Sequence, residues 1–595
     1  MRLDSFSMRR SAAGVLTTAL LIPILAACGG APATGAATAV PVAATAAPAP
    51  AEATAAPAPA EATAVPVEAA TAAPAEGGIE GFLIYGGSGE PDSLDSMNTT
   101  TGTALIVAQQ IQETLVGFKP GTLELVPKLA ESWEANADST EWTFKLVEGV
   151  KFHDGTDFNA EAVAFNFNRL ADPNFEYGFR AEGNTFPIFP DIFGGFVGDP
   201  NSVWKSVEAV DPTTVKFSLT RPVPLFPNYV AASYFGLSSP EAVKAQGVKY
   251  GTQEGGAVGT GPFVFKSWTA AQSLTLTRNE DYRGEKAKMP GVVVRFIADA
   301  SARLAELQAG AIDFTVNLAP DARSTIEGSS DLQLVSLEPF NIAYLSLNIN
   351  TKPFDDVRVR QAMAYAIDKQ AILDGFYGGI GSVADDFLPD GLAWARSPDL
   401  DPYAYDPEKA KALMAEAGYP DGFSTMVMTD GTEVPLELWY MPVSRPYYPT
   451  AQAVAEAYST YFADIGVKVE LKTEDWGVYL DNWDAGKKGG MVMLGWTGDY
   501  GDPNNFLFTH FGPGNMAEAG YDNPEVTTLL QDAGSATTQE DSAKLFQEAG
   551  LIINKDMPRI PIVHAPPVFA QKKALTGWVP NPTGGESFAP IMVAQ

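Results

Sequence analysis

The sequence predicts a mixed α/β fold for the part of the chain between residues 79 and 595. Hydrophobic residues make up 46% and charged residues 19% of the 595-residue chain, a balance typical of globular proteins with sizeable cores. Stretches in which apolar and polar residues alternate, as in half-buried strands, recur between stretches in which apolar residues follow a helical spacing. Such alternation of strand and helix signals favours an α/β class over an all-α or all-β one.

The first residues carry an export signal. Positive charge comes from Arg2, Arg9 and Arg10, and the apolar run over residues 12–27 is too short for a confident membrane span. The run ends in Leu25-Ala26-Ala27-Cys28-Gly29, which resembles the bacterial lipobox. The resemblance implies a lipoprotein signal peptide over residues 1–27 and lipid attachment to Cys28. Export by the general or the twin-arginine route stays open.

Residues 28–78 are predicted to be a disordered tether. Ala, Pro and Thr dominate this segment, and the same Ala/Pro/Glu/Thr unit occurs at 47–55 and again at 56–64. Such a composition cannot bury enough apolar surface to offset the entropy of ordering the chain. We expect a protein anchored to the cell membrane, periplasmic or on the cell surface, that works some distance above the lipid.

Charge and residue counts exclude several function classes. Asp and Glu number 72 against 39 Lys and Arg, a net charge of −33, which argues against nucleic acid as a partner. One cysteine and three histidines, none within five residues of another, exclude an intramolecular disulfide and a Cys/His zinc site. No nucleophile-elbow, P-loop or dinucleotide-binding motif occurs, so we predict a non-enzyme without a cofactor.

Helix signals are clear at two places. Asp406 can cap a helix whose first residue is Pro407, and Gly418 can end it. Asp356 precedes a longer predicted helix whose apolar positions reach Phe376 and which stops at Gly378-Gly379.

A strand–helix–strand unit predicts where a ligand would bind. A short strand over 435–441 is followed by a loop, by a helix that Gly466 closes, and by a strand with alternating residues from Val467. Ligands in open α/β sheets lie beyond the carboxyl ends of strands, which is where Arg445 falls. A further strand, residues 491–496, delivers Asp499 to the equivalent edge. A cation and an anion placed in this way suggest a zwitterionic ligand.

Several segments between residues 79 and 595 resemble family 5 solute-binding proteins of ABC importers, and most of all the family's dipeptide-binding member. The segments that carry the resemblance are Leu129–Trp133, Trp142–Leu146, Val150–Thr156, Asn159–Val163, Gly259–Phe263, Val357–Ala362, Trp439–Tyr447 and Gly495–Phe506. The resemblance implies a two-lobed, type II periplasmic-binding-protein-like fold of the large, extra-domain class, with a hinge and a ligand cleft between the lobes. It implies lobe 1 over 79–296 plus 567–595, with an extra subdomain at about 122–225, and lobe 2 over 297–566.

The resemblance also implies roles for single residues. Arg445 takes the position that holds the peptide carboxylate, and Asp499 the position that holds the peptide ammonium. The other residues implied to bind ligand are Gly495, Trp496, Thr497, Tyr500, Gly102 and Thr103. The implied function is capture of short peptides, dipeptides above all, and their delivery to the permease subunits of an ABC importer by a monomeric receptor.

Other interpretations stay open. Arg445 could brace a loop, Asp499 could form a turn, and the Asp499–Asn504 segment has some features of a calcium loop. His510 could contact ligand or metal, whereas His153 is predicted to be structural. The same fold could bind an oligopeptide, glutathione, an oligosaccharide or a nickel chelate, and a surface hydrolase is a third class.

Overall fold

The computed structural model describes residues 81–335, 337–513, 516–584 and 586–594, with only the backbone of residues 516 and 517. The predicted signal peptide, Cys28 and the tether lie outside the described residues.

Helices of the described chain follow one another in this order: α1 Gly102–Ile111, α2 Ala160–Ala171, α3 Ile188–Phe193, α4 Phe226–Ala231, α5 Pro240–Gln246, α6 Ala300–Gln308, α7 Ala322–Glu327, α8 Val357–Tyr365, α9 Lys369–Phe376, α10 Pro407–Glu416, α11 Ala451–Asp464, α12 Trp476–Asp484, α13 Leu507–Phe511, α14 Met516–Ala519, α15 Pro524–Ser535 and α16 Gln539–Asp556. Short 3₁₀ helices lie at Ser96–Asn98, Glu176–Gly178, Arg180–Glu182, Ser233–Phe235, Gly247–Lys249, Asp390–Ala395 and Pro503–Asn505.

The strands are β1 Leu83–Gly87, β2 Val116–Phe118, β3 Leu125–Pro127, β4 Ala130–Ala135, β5 Glu141–Leu146, β6 Trp204–Asp211, β7 Thr214–Leu219, β8 Phe263–Thr269, β9 Ser273–Arg278, β10 Gly291–Phe296, β11 Phe314–Leu318, β12 Leu332–Val335, β13 Asn341–Leu347, β14 Ser382–Val383, β15 Thr425–Val427, β16 Glu433–Pro435, β17 Glu437–Trp439, β18 Glu470–Lys472, β19 Met491–Thr497, β20 Arg559–His564, β21 Val568–Lys572, β22 Leu575–Thr576 and β23 Met592–Val593.

Two large mixed sheets organise the chain. The first has seven strands in the order β12-β21-β11-β1-β10-β9-β8, with β1 parallel to both β10 and β11. The second has six strands in the order β14-β20-β13-β19-β17-β18. The chain passes from the first sheet to the second between β12 and β13, and returns between β20 and β21. The predicted lobe boundaries stay predictions, and β11 and β12, which they assign to lobe 2, pair within the sheet of β1.

Apolar runs fix the centre of the second sheet. All seven residues of β13 are buried, as are the first five of β19, because both strands have neighbours on each side. Such continuous burial requires the near-unbroken apolar sequences that these strands carry. Around them lies a core cluster drawn from residues 340–565.

A four-stranded antiparallel sheet, in the order β4-β5-β7-β6, lies inside the 122–225 segment predicted as an extra subdomain. Its core is rich in aromatic rings, with Phe167 stacked 5.5 Å from Trp204. Tyr500, from the loop after β19, is part of the same core cluster.

The strand–helix–strand unit is confirmed. Strands β17 and β18 are parallel, α11 connects them, and β19 pairs in parallel with β17. The α10 prediction also holds, because the Lys409 backbone N–H donates to the Asp406 carboxylate at 2.9 Å. The prediction of a single long helix after Asp356 is wrong, because the chain forms two helices there, α8 and α9. The Asp368 side chain caps α9 by accepting a hydrogen bond from the Ala371 N–H at 2.9 Å.

Candidate ligand-binding site

Two neighbouring parallel strands bring the predicted anchors to one edge of the second sheet. Strand β17 pairs with β19 through Leu438↔Met491 and Trp439↔Val492, so the loops after both strands leave from the same side. The loop after β17 carries Arg445, and the loop after β19 carries Asp499. The predicted common location is therefore confirmed at the level of the sheet edge.

Gly495 allows the loop that carries Arg445 to pack closely on β19. A Cβ atom at Gly495 would lie 2.2 Å from Cδ2 of the Tyr447 ring and 2.5 Å from the carbonyl oxygen of Ile342. Only a residue without a side chain permits the ring to rest on β19 at this distance. Gly495 thus supports the Arg445 loop through Tyr447.

The Arg445 loop is held by its backbone and its neighbours. Arg445 and Tyr448 exchange backbone hydrogen bonds of 3.2 and 3.0 Å, and the hydroxyl of the buried Tyr448 donates to the Tyr344 carbonyl at 3.2 Å. The guanidinium carbon of Arg445 lies 4.8 Å from the ring centroid of Trp476. Within the described residues the half-buried Arg445 side chain makes no hydrogen bond or ion pair. Its fork of donors is free for a carboxylate.

Hydrogen bonds from two neutral side chains hold Asp499. Tyr234 donates to one carboxylate oxygen at 3.1 Å, and the Asn505 amide donates to the other at 3.0 Å. The Asp499 backbone N–H donates to the Asn505 side-chain oxygen at 2.7 Å. Burial raises the pKa of the Asp499 carboxyl to about 6, against the lowering effect of these hydrogen bonds, and the nearby Asp191 raises it further. No ion pair from the described part of the chain compensates this carboxylate.

The other predicted site residues differ in their burial and in their hydrogen-bond partners. Trp496 is half-buried and donates from its indole N–H to Asn505 at 3.4 Å, while Thr497 pairs with Asn341 on β13. The ring of Tyr500 is buried 4.7 Å from that of Tyr229. Gly102 and Thr103 are the first residues of α1, and Thr101 caps this helix with a 3.4 Å hydrogen bond from the Ala104 N–H. Among the described residues no hydrogen bond joins Gly102 or Thr103 to the loops after β17 and β19.

A cavity of about 460 Å³ opens beside Arg445. Its walls include both connections between the large sheets, with Leu337 and Pro339 on one and Pro566 on the other. Arg445 lines this cavity, whereas Asp499 is outside its lining. Its volume lies in the range of small-molecule pockets, about 300–1,000 Å³.

Sequence reasoning missed several residues of the site. Asn505 lies inside the Gly495–Phe506 segment that carries the family resemblance, so the sequence offered a signal for its placement next to Asp499. Tyr234 and Trp476 come from segments far along the chain, and no spacing in the sequence links them to the two anchors. Glu338, which also lines the cavity, gave no signal at all.

The histidines are engaged within the fold. His153 Nε2 lies 2.9 Å from the Gly261 carbonyl oxygen. Buried His510 lies with Nδ1 3.2 Å from the Arg559 guanidinium, and burial and this cation hold its pKa well below the usual value. Over the residues that the structure describes, no group of three His, Cys, Asp or Glu side chains could hold a metal ion.

Comparison with known proteins decides the family. The profile of bacterial extracellular solute-binding proteins, family 5 (middle region), matches residues 124–518. The chain belongs to this family. A solved dipeptide-binding protein of Pseudoalteromonas, in complex with Met-Leu, matches the family 5 chain with a TM-score of 0.75 at 27% identity, covering 86% of this chain and 99% of that one. The predicted fold class, the type II periplasmic-binding-protein fold, is confirmed.

Relatives of this family 5 protein are named for different ligands. Heme-binding protein A of Haemophilus influenzae is 34% identical over 505 residues, 82% of this chain and 87% of the relative. The dipeptide-binding protein of Escherichia coli is 33% identical over 527 residues, 86% of this chain and 94% of the relative.

Family membership settles the coarse function. Family 5 consists of extracytoplasmic substrate-binding proteins of ABC importers rather than enzymes, so this chain is a solute-binding protein. In the described part of the family 5 chain, none of the helices combines the length and apolar character needed to cross a membrane.

Proposed function

We propose that this family 5 protein captures dipeptides in the cleft between its lobes and delivers them to the permease of an ABC importer. The observation that carries the proposal is the pair of charges at one sheet edge. Arg445 is a cation without an ion-pair partner in the described chain, and Asp499 is a half-buried anion whose side-chain hydrogen bonds come from neutral groups.

The two charges match the two ends of a free dipeptide. Arg445 would grip the carboxylate with two parallel N–H donors, and Asp499 would accept from the ammonium group. Each charge-assisted hydrogen bond contributes about 1.5–3 kcal/mol. A ligand that leaves one buried charge unpaired is penalised by about 3–5 kcal/mol. Discrimination between peptide lengths therefore comes chiefly from rejection of ligands whose two ends cannot reach both charges.

The remaining predicted residues would form the walls around the peptide. Gly495, Trp496, Thr497 and Tyr500 surround the ammonium end, and Gly102 and Thr103 offer backbone contacts from the other lobe. Lipid on Cys28 would hold a monomeric receptor at the membrane through the 28–78 tether. The lobes would follow the predicted boundaries, with the position of β11 and β12 as the point to test.

A different ligand class is the alternative. One relative is named for heme and another for glutathione, and the fold also suits oligopeptides, oligosaccharides and nickel chelates. Heme and oligosaccharides have no ammonium group, and in glutathione and longer peptides the ammonium and the terminal carboxylate are farther apart along the chain than in a dipeptide, so the Arg445–Asp499 pair favours the dipeptide.

Isothermal titration tests the proposal. The purified protein is stripped of bound ligand by unfolding and refolding, then titrated with Ala-Ala, N-acetyl-Ala-Ala, Ala-Ala-Ala, glutathione and hemin. We expect binding of Ala-Ala alone and its loss in both Arg445→Ala and Asp499→Ala. Equal binding of the three peptides would refute the two-anchor mechanism. Heat only with glutathione or hemin would replace the dipeptide by that ligand.

A further inference from the structure

Some of the charged side chains that line the cavity beside Arg445 have an ion-pair partner and others have none. Its lining includes two cations, Arg323 and Arg445, and two anions, Glu338 and Asp390. Arg323 pairs with Glu327 outside the lining at 2.9 Å.

Asp390 is also compensated, by Arg396 at 3.3 Å. Glu338 has neither an ion pair nor a side-chain hydrogen bond within the described residues, and neither has Arg445. Counted over the described residues that line it, the cavity therefore presents one free cation and one free anion to an occupant.

Glu338 occupies a defined position in the fold. It lies in the connection between β12 and β13, next to Leu337 and Pro339 on the cavity wall. Its side chain is exposed, as expected for a residue on an open cavity. A carboxylate in this position is hydrated without ligand and can exchange its water for an ammonium or guanidinium group.

We propose that Glu338 selects dipeptides that have a cationic side chain, Lys or Arg, on the C-terminal residue. The inference rests on the proposed function, in which Arg445 holds the peptide carboxylate. The side chain of the C-terminal residue leaves the atom next to that carboxylate, so it extends into the cavity that Arg445 lines. Among the lining residues that the structure describes, the free anion there is Glu338. The net charge of −33 adds a general attraction for cationic ligands.

Titration of the stripped protein with matched dipeptides tests this inference. Ala-Lys and Ala-norleucine share a four-carbon side chain and differ in the terminal ammonium, while Ala-Ala lacks the side chain. We expect Ala-Lys to bind about fivefold more tightly than Ala-norleucine, the size of a partly exposed ion pair. This preference should shrink in 0.5 M salt, because exposed charges are screened.

Three variants make the test specific. Glu338→Gln is expected to bring the Ala-Lys to Ala-norleucine ratio close to one and to leave Ala-Ala binding unchanged. Glu338→Lys is expected to reverse the preference toward Ala-Glu. Asp390→Asn removes a negative charge from the same cavity, but one already paired with Arg396, and is expected to change the ratio by less than about twofold.

The outcomes separate the two proposals. If Ala-Ala binds and Glu338→Gln keeps the wild-type ratio, the inference about Glu338 is wrong and the dipeptide function stands. If Glu338→Gln weakens Ala-Ala as much as Ala-Lys, Glu338 holds the peptide ammonium and the side-chain assignment is wrong. If no dipeptide binds, both the proposed function and the inference fail.

Discussion

Neutralising Asp499 is expected to make the protein more stable and a worse receptor at once. Burial raises the pKa of Asp499 from its ordinary 3.8 to about 6. Each pH unit corresponds to about 1.4 kcal/mol, so the ionised carboxylate costs the unliganded folded protein about 3 kcal/mol at pH 8. In Asp499→Asn, the Tyr234 hydroxyl can accept from the new amide while Asn505 still donates to the remaining oxygen. Both hydrogen bonds are kept, and the free energy of unfolding at pH 8 should rise by about 2–3 kcal/mol.

The direction of the pKa shift determines how the stability effect of Asp499 changes with pH. The folded-state pKa of Asp499 is raised, so its contribution to stability falls as pH rises from about 4 to about 6 and is level above that range. The stabilisation of Asp499→Asn should therefore be full at pH 8 and vanish near pH 4. At pH 8 the affinity for Ala-Ala should fall at least about a hundredfold, because the ligand ammonium loses its charged partner.

Asp502 provides a matched control. Burial raises its pKa to about 6 as well, and it accepts a hydrogen bond from Tyr229 at 2.9 Å and one from the Asn504 N–H at 2.8 Å. Asp502→Asn should stabilise the protein to a similar extent without loss of affinity. Urea denaturation followed by tryptophan fluorescence gives the stability, and isothermal titration gives the affinity. A lower free energy of unfolding for Asp499→Asn at pH 8, or equal loss of affinity in both variants, would refute the reasoning.

Three further predictions concern the same edge. Arg445→Met should weaken Ala-Ala binding at least about a hundredfold in titration but change urea stability little, because this side chain forms no ion pair in the described chain. Wild-type affinity for Ala-Ala should fall about tenfold per pH unit below 6, as Asp499 takes up a proton, and the profile of Asp499→Asn should be flat. Gly495→Ala should lower stability by about 1–3 kcal/mol, because the new methyl group overlaps the Tyr447 ring. Gly477→Ala, in α12 where nothing lies within 4 Å, should not lower stability, because Ala favours a helix more than Gly does.

Local patterns predicted the elements that carry the anchors. The alternation from Val467 and the apolar run over 491–496 are set by burial on a sheet, so they predicted strands where the structure has β18 and β19. That these strands run parallel to β17 is a finding of the structure. The prediction of one continuous helix after Asp356 was wrong because the Asp368 side chain binds a backbone N–H of the next turn and starts a new helix.

Contacts between distant segments could not be predicted in this way. Tyr234 lies 265 positions from Asp499, and its hydroxyl reaches the carboxylate only because the folded chain brings the two together. Glu338 is an unremarkable residue of a connecting segment until the cavity around it is seen. The sequence therefore indicated Arg445 and Asp499, while Glu338, the neutral partners of Asp499 and the shape of the cavity depend on tertiary structure.

Tyr500 follows Asp499 directly and is buried in the aromatic core of the four-stranded sheet, 4.7 Å from Tyr229. Separating these segments would expose a tyrosine ring, whose burial contributes about 1.5–3 kcal/mol. We therefore expect a measurable fraction of ligand-free receptors to be in the closed conformation, in which these segments are in contact. A permease that recognised the closed conformation alone would then be activated by empty receptors and would hydrolyse ATP without transporting a ligand. Coupling of ATP hydrolysis to transport therefore requires the permease to sense more than the closed conformation of the receptor.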